Sequence, residues 1–374
     1  MLIEKVNFNH FRNLTQVSFS AASGFNLFYG DNAAGKTSIL EALYYLGHAR
    51  SFRTHVVSKL IQYDMSDRFV LFAELMNQDS LSSTVGIERG ADGTRKIRIN
   101  HQEESGLEQL AELLPMRLLH ADCYRYFHEG SKSRRQLLDW GVFHVEPLFF
   151  RYWNESQRLL KQRNAALKQK LSFRQVSIWD KELIPLAESM DQFRKTYLQR
   201  FEPVFMEVCQ RLLGEAAISL HYFRGWRKDY SFEQMLQQQF ERDLQLGYTQ
   251  SNPHRADMKV QYNNIDIQDS FSQGQQKLAA YALLLAQGLL LQKQTKISPI
   301  YLIDDLPSEL DSNKQELVFD LLKQLDAQVF LTGIDKNNLL ALCKNINVQL
   351  FHVEQGRVSR VASASPHKSQ SIYC

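Results

Sequence analysis

Two short stretches of the 374-residue chain carry residue types and spacings suited to phosphate chemistry. In GDNAAGKT, Gly30 to Thr37, two glycines separated by four residues precede a lysine and a threonine, the G-x-x-x-x-G-K-[ST] spacing of a phosphate-binding loop. Gly30, Asp31, Asn32, Ala33, Ala34 and Gly35 would curl backbone N–H groups around phosphate oxygens, Lys36 would reach the β and γ phosphates, and Thr37 would ligate magnesium. In YLIDDLPSELD, residues 301–311, an apolar run ends in two acids. Asp304 has the place of the carboxylate that holds Mg2+, and Asp305, one residue on, that of the group that polarises an attacking water. The alternative for the acids is a helix cap at a strand end.

The elements these residues need are legible around them. Residues 24–30, GFNLFYG, read as a short buried strand. Thr37 to Gly47 read as a helix with Ile39, Leu40, Leu43 and Leu46 on one stripe. Strand, loop and helix follow in the order a phosphate loop requires. A third stretch, residues 270–291, starts with Ser272 and Gln275 at capping-box spacing before a long apolar helix. Alone it is an ordinary capped helix. Its place ahead of the Asp-Asp strand is that of the signature motif in ATPases of the ABC type. There Ser272, Gly274 and Gln275 of one subunit would close over the γ-phosphate held by another, with residues 308–311 lining the interface.

Composition bounds the rest. A net charge of +3, 44% hydrophobic and 23% charged residues exclude a disordered or uniformly basic chain, so any nucleic-acid surface must be local. Cys123, Cys209, Cys343 and Cys374 are scattered, as reduced structural thiols are, and no apolar run is long enough to span a membrane. A cytoplasmic protein is expected, with no membrane partner.

Between the phosphate loop and residue 270 lies an insertion too long for a compact transporter head. Residues 151–174 place Trp153, Leu160, Leu167 and Leu171 at heptad-like spacing, and 181–213 continue the pattern, with Pro203 expected to bend it. Two antiparallel helices in a short arm are expected. The first carries Arg151, Arg158, Lys161, Arg163, Lys168, Lys170 and Arg174, a phosphate track or a merely solvated face. Arg134 and Arg135 form a second basic cluster, beside Tyr124, Tyr126 and Phe127, which read as core more readily than as base-stacking rings. The expected organisation is α/β: an ABC-type ATPase head built from 1–133 and 247–361, a helical lobe at 134–246, and an irregular tail from 362.

The chain resembles the RecF family of bacterial recombination-mediator ATPases, relatives of the structural-maintenance-of-chromosomes proteins. The resemblance rests on HFRNL (10–14), the phosphate loop, GHARSFRT (47–54), SKSRRQLLDWGVFHVEP (131–147), WDKELIPLAE (179–188), SQGQQK (272–277), YLIDDLPSELD (301–311) and VFLTGID (329–335). It implies ATP and Mg2+ as cofactors, Arg12 at the nucleotide, an ATP-dependent homodimer and slow, DNA-stimulated hydrolysis. It also implies double- and single-stranded DNA at gaps and junctions, RecR and RecO as partners, and RecA loading onto strands coated with single-strand-binding protein, in repair, replication restart and the SOS response. The ATP-binding subunit of an ABC transporter is the alternative. Ala33 stands where related ATPases carry glycine, an exchange costing little provided the residue needs no positive φ. No histidine follows the 329–333 strand, which leaves Thr332 or Asp335 for any switch role there.

Overall fold

The computed structural model of the chain describes residues 1–77, 81–104, 106–214, 217–306, 310–343, 346 and 348–361. Ser308 and Glu309 of the expected interface loop, and the tail from 362 with Cys374, lie outside the described residues. In chain order the first elements are β1 (Leu2–Phe11), β2 (Leu14–Ser20), β3 (Phe25–Tyr29), α1 (Lys36–His48), β4 (Arg68–Met76), β5 (Ser82–Gly90), β6 (Arg95–Ile99), β7 (Gln102–Glu104), α2 (Glu108–Leu113) and β8 (Met116–Leu119). A helical stretch follows with α3 (Arg125–His128), α4 (Ser131–Val145), α5 (Phe149–Lys168), α6 (Phe173–Leu213), β9 (Ile218–Phe223), α7 (Phe232–Leu246), β10 (Asp257–Tyr262), β11 (Ile265–Asp266), α8 (Ile267–Ser270) and α9 (Gln273–Thr295). The chain closes with β12 (Ile300–Ile303), α10 (Ser312–Gln324), β13 (Val329–Gly333), α11 (Lys336–Leu342), β14 (Val348–Glu354) and β15 (Arg357–Val361).

Two compact units result, Met1–Ala121 with Ser298–Cys374, and Asp122–Ile297. These seams differ from the boundaries expected at 133 and 247. The seam at Ile297 follows from α9: its apolar face runs round the whole helix, and it packs along α6 within the second unit.

The first unit holds two six-stranded sheets. One is antiparallel, in the order β2-β1-β4-β5-β6-β7. The other runs β15-β14-β3-β13-β12-β8, parallel throughout except for the edge hairpin β14–β15. A core cluster between the two sheets includes α1, with Phe28 stacked on Phe351 at 4.8 Å and α1 contributing Ile39, Leu40, Leu43 and Leu46. Buried Gln328 ties the ends of the chain together: its Oε1 accepts from Ile3 N at 2.9 Å and its Nε2 donates to Ile3 O at 2.7 Å. The bond falls at the β1 bulge between Ile3 and Lys5, where the strand ladder shifts register.

In the second unit α5 and α6 pair as the expected two-helix arm, and α7 packs on both. The second helix starts at Phe173, not near 181, from a capping box at Ser172 and Gln175, so Arg174 belongs to it. It continues as one helix through Pro185 and Pro203, so Pro203 does not end it. Each proline removes one backbone bond, and packing against α5 and α9 outweighs that loss.

Arg163, read as part of a basic outer face, is fully buried. Its Nε donates to Asp180 at 2.7 Å, and its Nη1 donates to Asp243 at 3.0 Å and Thr249 at 2.8 Å, joining α5, α6 and α7. Burial raises the Asp180 carboxyl above its ordinary value, and Arg163 pulls it back down. Arg163→Met should strand two buried carboxylates and destabilise this unit by about 3 kcal/mol. Urea unfolding followed by tryptophan fluorescence checks this, and an unchanged midpoint contradicts the clamp.

Candidate functional site

The 30–37 loop leaves β3 at its carboxyl end and feeds α1, the position where open α/β sheets bind ligands. A side chain at Gly30 would lie 2.2 Å from Val353 O, so backbone crowding by β14 excludes every other residue there. Gly35, at φ +115° just before α1, lies against the Asn13 amide, which would be 2.9 Å from a Cβ. Gly356, in the β14–β15 turn, donates its N–H to Ala34 O at 2.8 Å. Sequence reading missed Asn13 and Gly356, and the turn residues Gln355-Gly356 between two apolar runs were the available signal.

Inside the loop, Lys36 Nζ donates to Gly30 O at 2.6 Å and Asp31 O at 2.8 Å. Its pKa is lowered by burial, against the opposing pull of Asp305, Asp304 and Asp31. The ammonium is thus folded into the curl of the loop, an arrangement suited to an anion with several oxygens. Ala33 has φ +62°, in the left-handed region. That overturns the proviso under which alanine was a mild exchange, because a Cβ in this conformation is strained.

Asp304 follows β12 and meets the loop directly: Thr37 Oγ1 lies 3.1 Å from both of its carboxylate oxygens. Thr332, fully buried at the end of β13, donates its hydroxyl to Asp304 Oδ1 at 2.8 Å and accepts the Asp305 N–H at 3.0 Å. Asp305 stands at φ +52°, a conformation aspartate tolerates better than most residues. Thr332 thus joins the acids, whereas Asp335 accepts from Asn338 N at 2.8 Å and caps α11. Thr37 and Asp304 form a set of hard oxygen donors that fits a magnesium ion. Among the described residues no cluster of three or more His, Cys, Asp or Glu side chains offers another metal site.

Arg12, expected at the nucleotide, grips buried Glu41 of α1 through two parallel bonds, Nε to Oε2 at 2.9 Å and Nη2 to Oε1 at 2.8 Å. Sequence reading overlooked Glu41, whose signal was an acid inside the apolar stripe of α1.

In the second unit Ser272 and Gln275 form the expected capping box, with Gln275 N donating to Ser272 Oγ at 3.3 Å and Ser272 N to Gln275 Oε1 at 3.0 Å. Ser272 and Gly274 are exposed, and a Cβ at Gly274 would meet no atom of the described residues within 4 Å. Arg158, Lys161 and Lys168 are all exposed on α5, their spacing of three and seven placing them along one stripe. The other basic positions are used differently. Arg134 forks onto Asp257 at 2.9 and 2.8 Å, and Arg135 donates to Ala256 O at 2.8 Å, so both are engaged within their own unit. Phe127 is buried, as the core reading expects.

Replacing Ala33 by glycine should relieve the left-handed strain and raise the stability of the nucleotide-free protein by about 0.5–1 kcal/mol after the larger unfolded-state entropy of glycine is counted. Thermal unfolding without nucleotide checks this, and a lower midpoint contradicts it.

The family model described as the RecF/RecN/SMC N terminal domain matches residues 2–359. The DNA replication and repair protein RecF of Coxiella burnetii (strain Dugway 5J108-111) is 47% identical over 357 residues, covering 96% of this chain and 99% of that protein. Its counterpart in Vibrio vulnificus (strain CMCP6) is 41% identical over 360 residues, covering 96% and 100%. Among solved structures, the recombination mediator protein RecF-ATP of the RecFOR pathway superposes with a TM-score of 0.83 at 25% identity, covering 96% of this chain and 98% of that one. An Smc head bound to the C-winged helix domain of ScpA shares the fold alone, with a TM-score of 0.60 at 15% identity over 96% and 97% of the two chains. No described helix is long and apolar enough to cross a membrane. With matches of this extent, the chain belongs to the RecF family of DNA replication and repair proteins.

Proposed function

We propose that this protein is an ATP-driven, DNA-binding recombination mediator of the bacterial cytoplasm. The observation that carries the nucleotide part is the meeting of Thr37 with Asp304, 267 residues apart in sequence, at the mouth of a glycine-bounded loop that curls around Lys36. In this reading Gly30 to Thr37 bind the ATP phosphates and Lys36 neutralises them. Thr37 and Asp304 hold Mg2+, which when bound supplies charge neutralisation at the phosphates. Asp305 accepts the proton of the attacking water, and its side chain, one methylene shorter than the glutamate of transporters, makes hydrolysis slow.

Ser272, Gly274 and Gln275 complete the site from a second copy. The open surface around Gly274 supports this, since none of the described residues crowds that position. ATP thus joins two heads into a homodimer. Arg158, Lys161 and Lys168 track the phosphate backbone of duplex DNA beside a single-stranded gap, with RecR and RecO as partners and RecA loading as the outcome. DNA stimulates turnover by favouring the closed dimer.

Lys36→Ala should abolish ATP binding. Ser272→Arg should keep monomer binding of ATP but lose dimerisation and hydrolysis together, whereas Asp305→Asn, which suits the same left-handed backbone, should bind, dimerise and fail to turn over. Light scattering with ATP and Mg2+ tests the pair: Ser272→Arg dimerising as wild type does, or Asp305→Asn staying monomeric, contradicts the composite site. For DNA, glutamine at 158, 161 and 168 together should weaken duplex binding of any sequence and flatten its salt dependence, by up to about 0.9 in slope for each phosphate no longer neutralised. An unchanged salt slope returns α5 to a solvated face.

A further inference from the structure

Glu41 is a fully buried carboxylate one turn beyond Thr37 on α1, and residues four apart share a helix face. Burial of a charge is costly unless it is paired, and here partners converge from two separate segments. Arg12 of the turn after β1 forks onto both carboxylate oxygens, Ser51 Oγ donates to Oε1, and Arg53 Nη1 lies 3.6 Å from Oε2. Ser51 Oγ in turn accepts the backbone N–H groups of Arg53 at 2.9 Å and Thr54 at 3.0 Å, which fixes the turn bearing Arg53. Arg12 also donates through Nη1 to Lys59 O at 2.8 Å and is held at φ +56°. Among the described residues one N–H on each of its Nη nitrogens is left over, on a side chain that remains 20% exposed. The next residue, Asn13, is the one that lies against Gly35 of the phosphate loop.

We propose that Glu41 is a positioning residue for the nucleotide. It fixes the Arg12 guanidinium, and the turn carrying Arg53, beside the face of α1 that bears Thr37, so that the free N–H groups meet triphosphate oxygens without first being ordered. A fork held by a carboxylate has a defined plane, and a lysine in its place would not. This rests on the ATP reading above.

The test is ATP titration, with Mg2+, of the full-length wild type, Glu41→Gln, Arg12→Lys, and Leu43→Ala as a core variant of the same helix. Glu41→Gln should bind ATP about tenfold more weakly, the scale of one misplaced charge-assisted bond. Leu43→Ala, at least as destabilised in thermal unfolding, should keep wild-type affinity. Arg12→Lys, which keeps the charge and leaves Glu41 paired, should weaken binding similarly and stands in if Glu41→Gln does not fold. Wild-type affinity in Glu41→Gln or in Arg12→Lys, or an equal loss in Leu43→Ala, overturns the positioning role. A wild type that does not bind ATP overturns the nucleotide reading itself, a result distinct from either.

Discussion

Strand β3, which carries the phosphate loop, takes neither of its sheet neighbours from its own half of the chain. It lies between β13 and β14, with Leu27 in register with Leu331 on one side and Leu350 on the other. Everything at the site depends on that insertion. Gly30 owes its glycine to the Val353 carbonyl of β14, the loop is fastened by Gly356, and the acid that faces Thr37 follows β12, beyond β13. A chain that must close so long a loop before its central strand is paired folds through pairings of high sequence separation. The Gln328 bonds to Ile3 add a second link between the two ends.

The same constraint explains how polar groups survive in the interior. Thr332 is wholly buried, yet its hydroxyl both donates, to Asp304 Oδ1, and accepts, from Asp305 N. Glu41 is buried as deeply and is met by two arginines and a serine. Both clusters surround α1, and both join segments distant in the chain to it. Around the loop, Ala33, Arg12 and Asp305 each hold a left-handed backbone. The surrounding pairs hold those conformations in place.

Much of this was legible in the sequence because it is local. The phosphate loop, the stripe of α1 and the capping box at Ser272 each follow from a few adjacent residues, and each appears in the structure. What escaped was set at long range. Alanine itself does not announce the left-handed backbone at position 33, beside which Gly356 N–H meets Ala34 O and Asn13 lies against Gly35. Arg163 has the look of one more cation on a helix surface, and only the approach of α6 and α7 brings Asp180 and Asp243 to it. Likewise the unit boundary moved because an apolar helix packs on whichever neighbour offers the larger matching face. For α9 that neighbour was α6.

In the proposed mechanism the two ends of the chain build one nucleotide site. Amide hydrogen exchange with and without ATP and Mg2+ tests it most directly, because it reads each segment separately. Slower exchange on ATP addition is expected in peptides from both ends, covering Gly30 to Leu46 and Tyr301 to Asp305, at protein concentrations too low for dimers to form. Protection confined to only one of the two ends, or absent from residues 30–37, would contradict it.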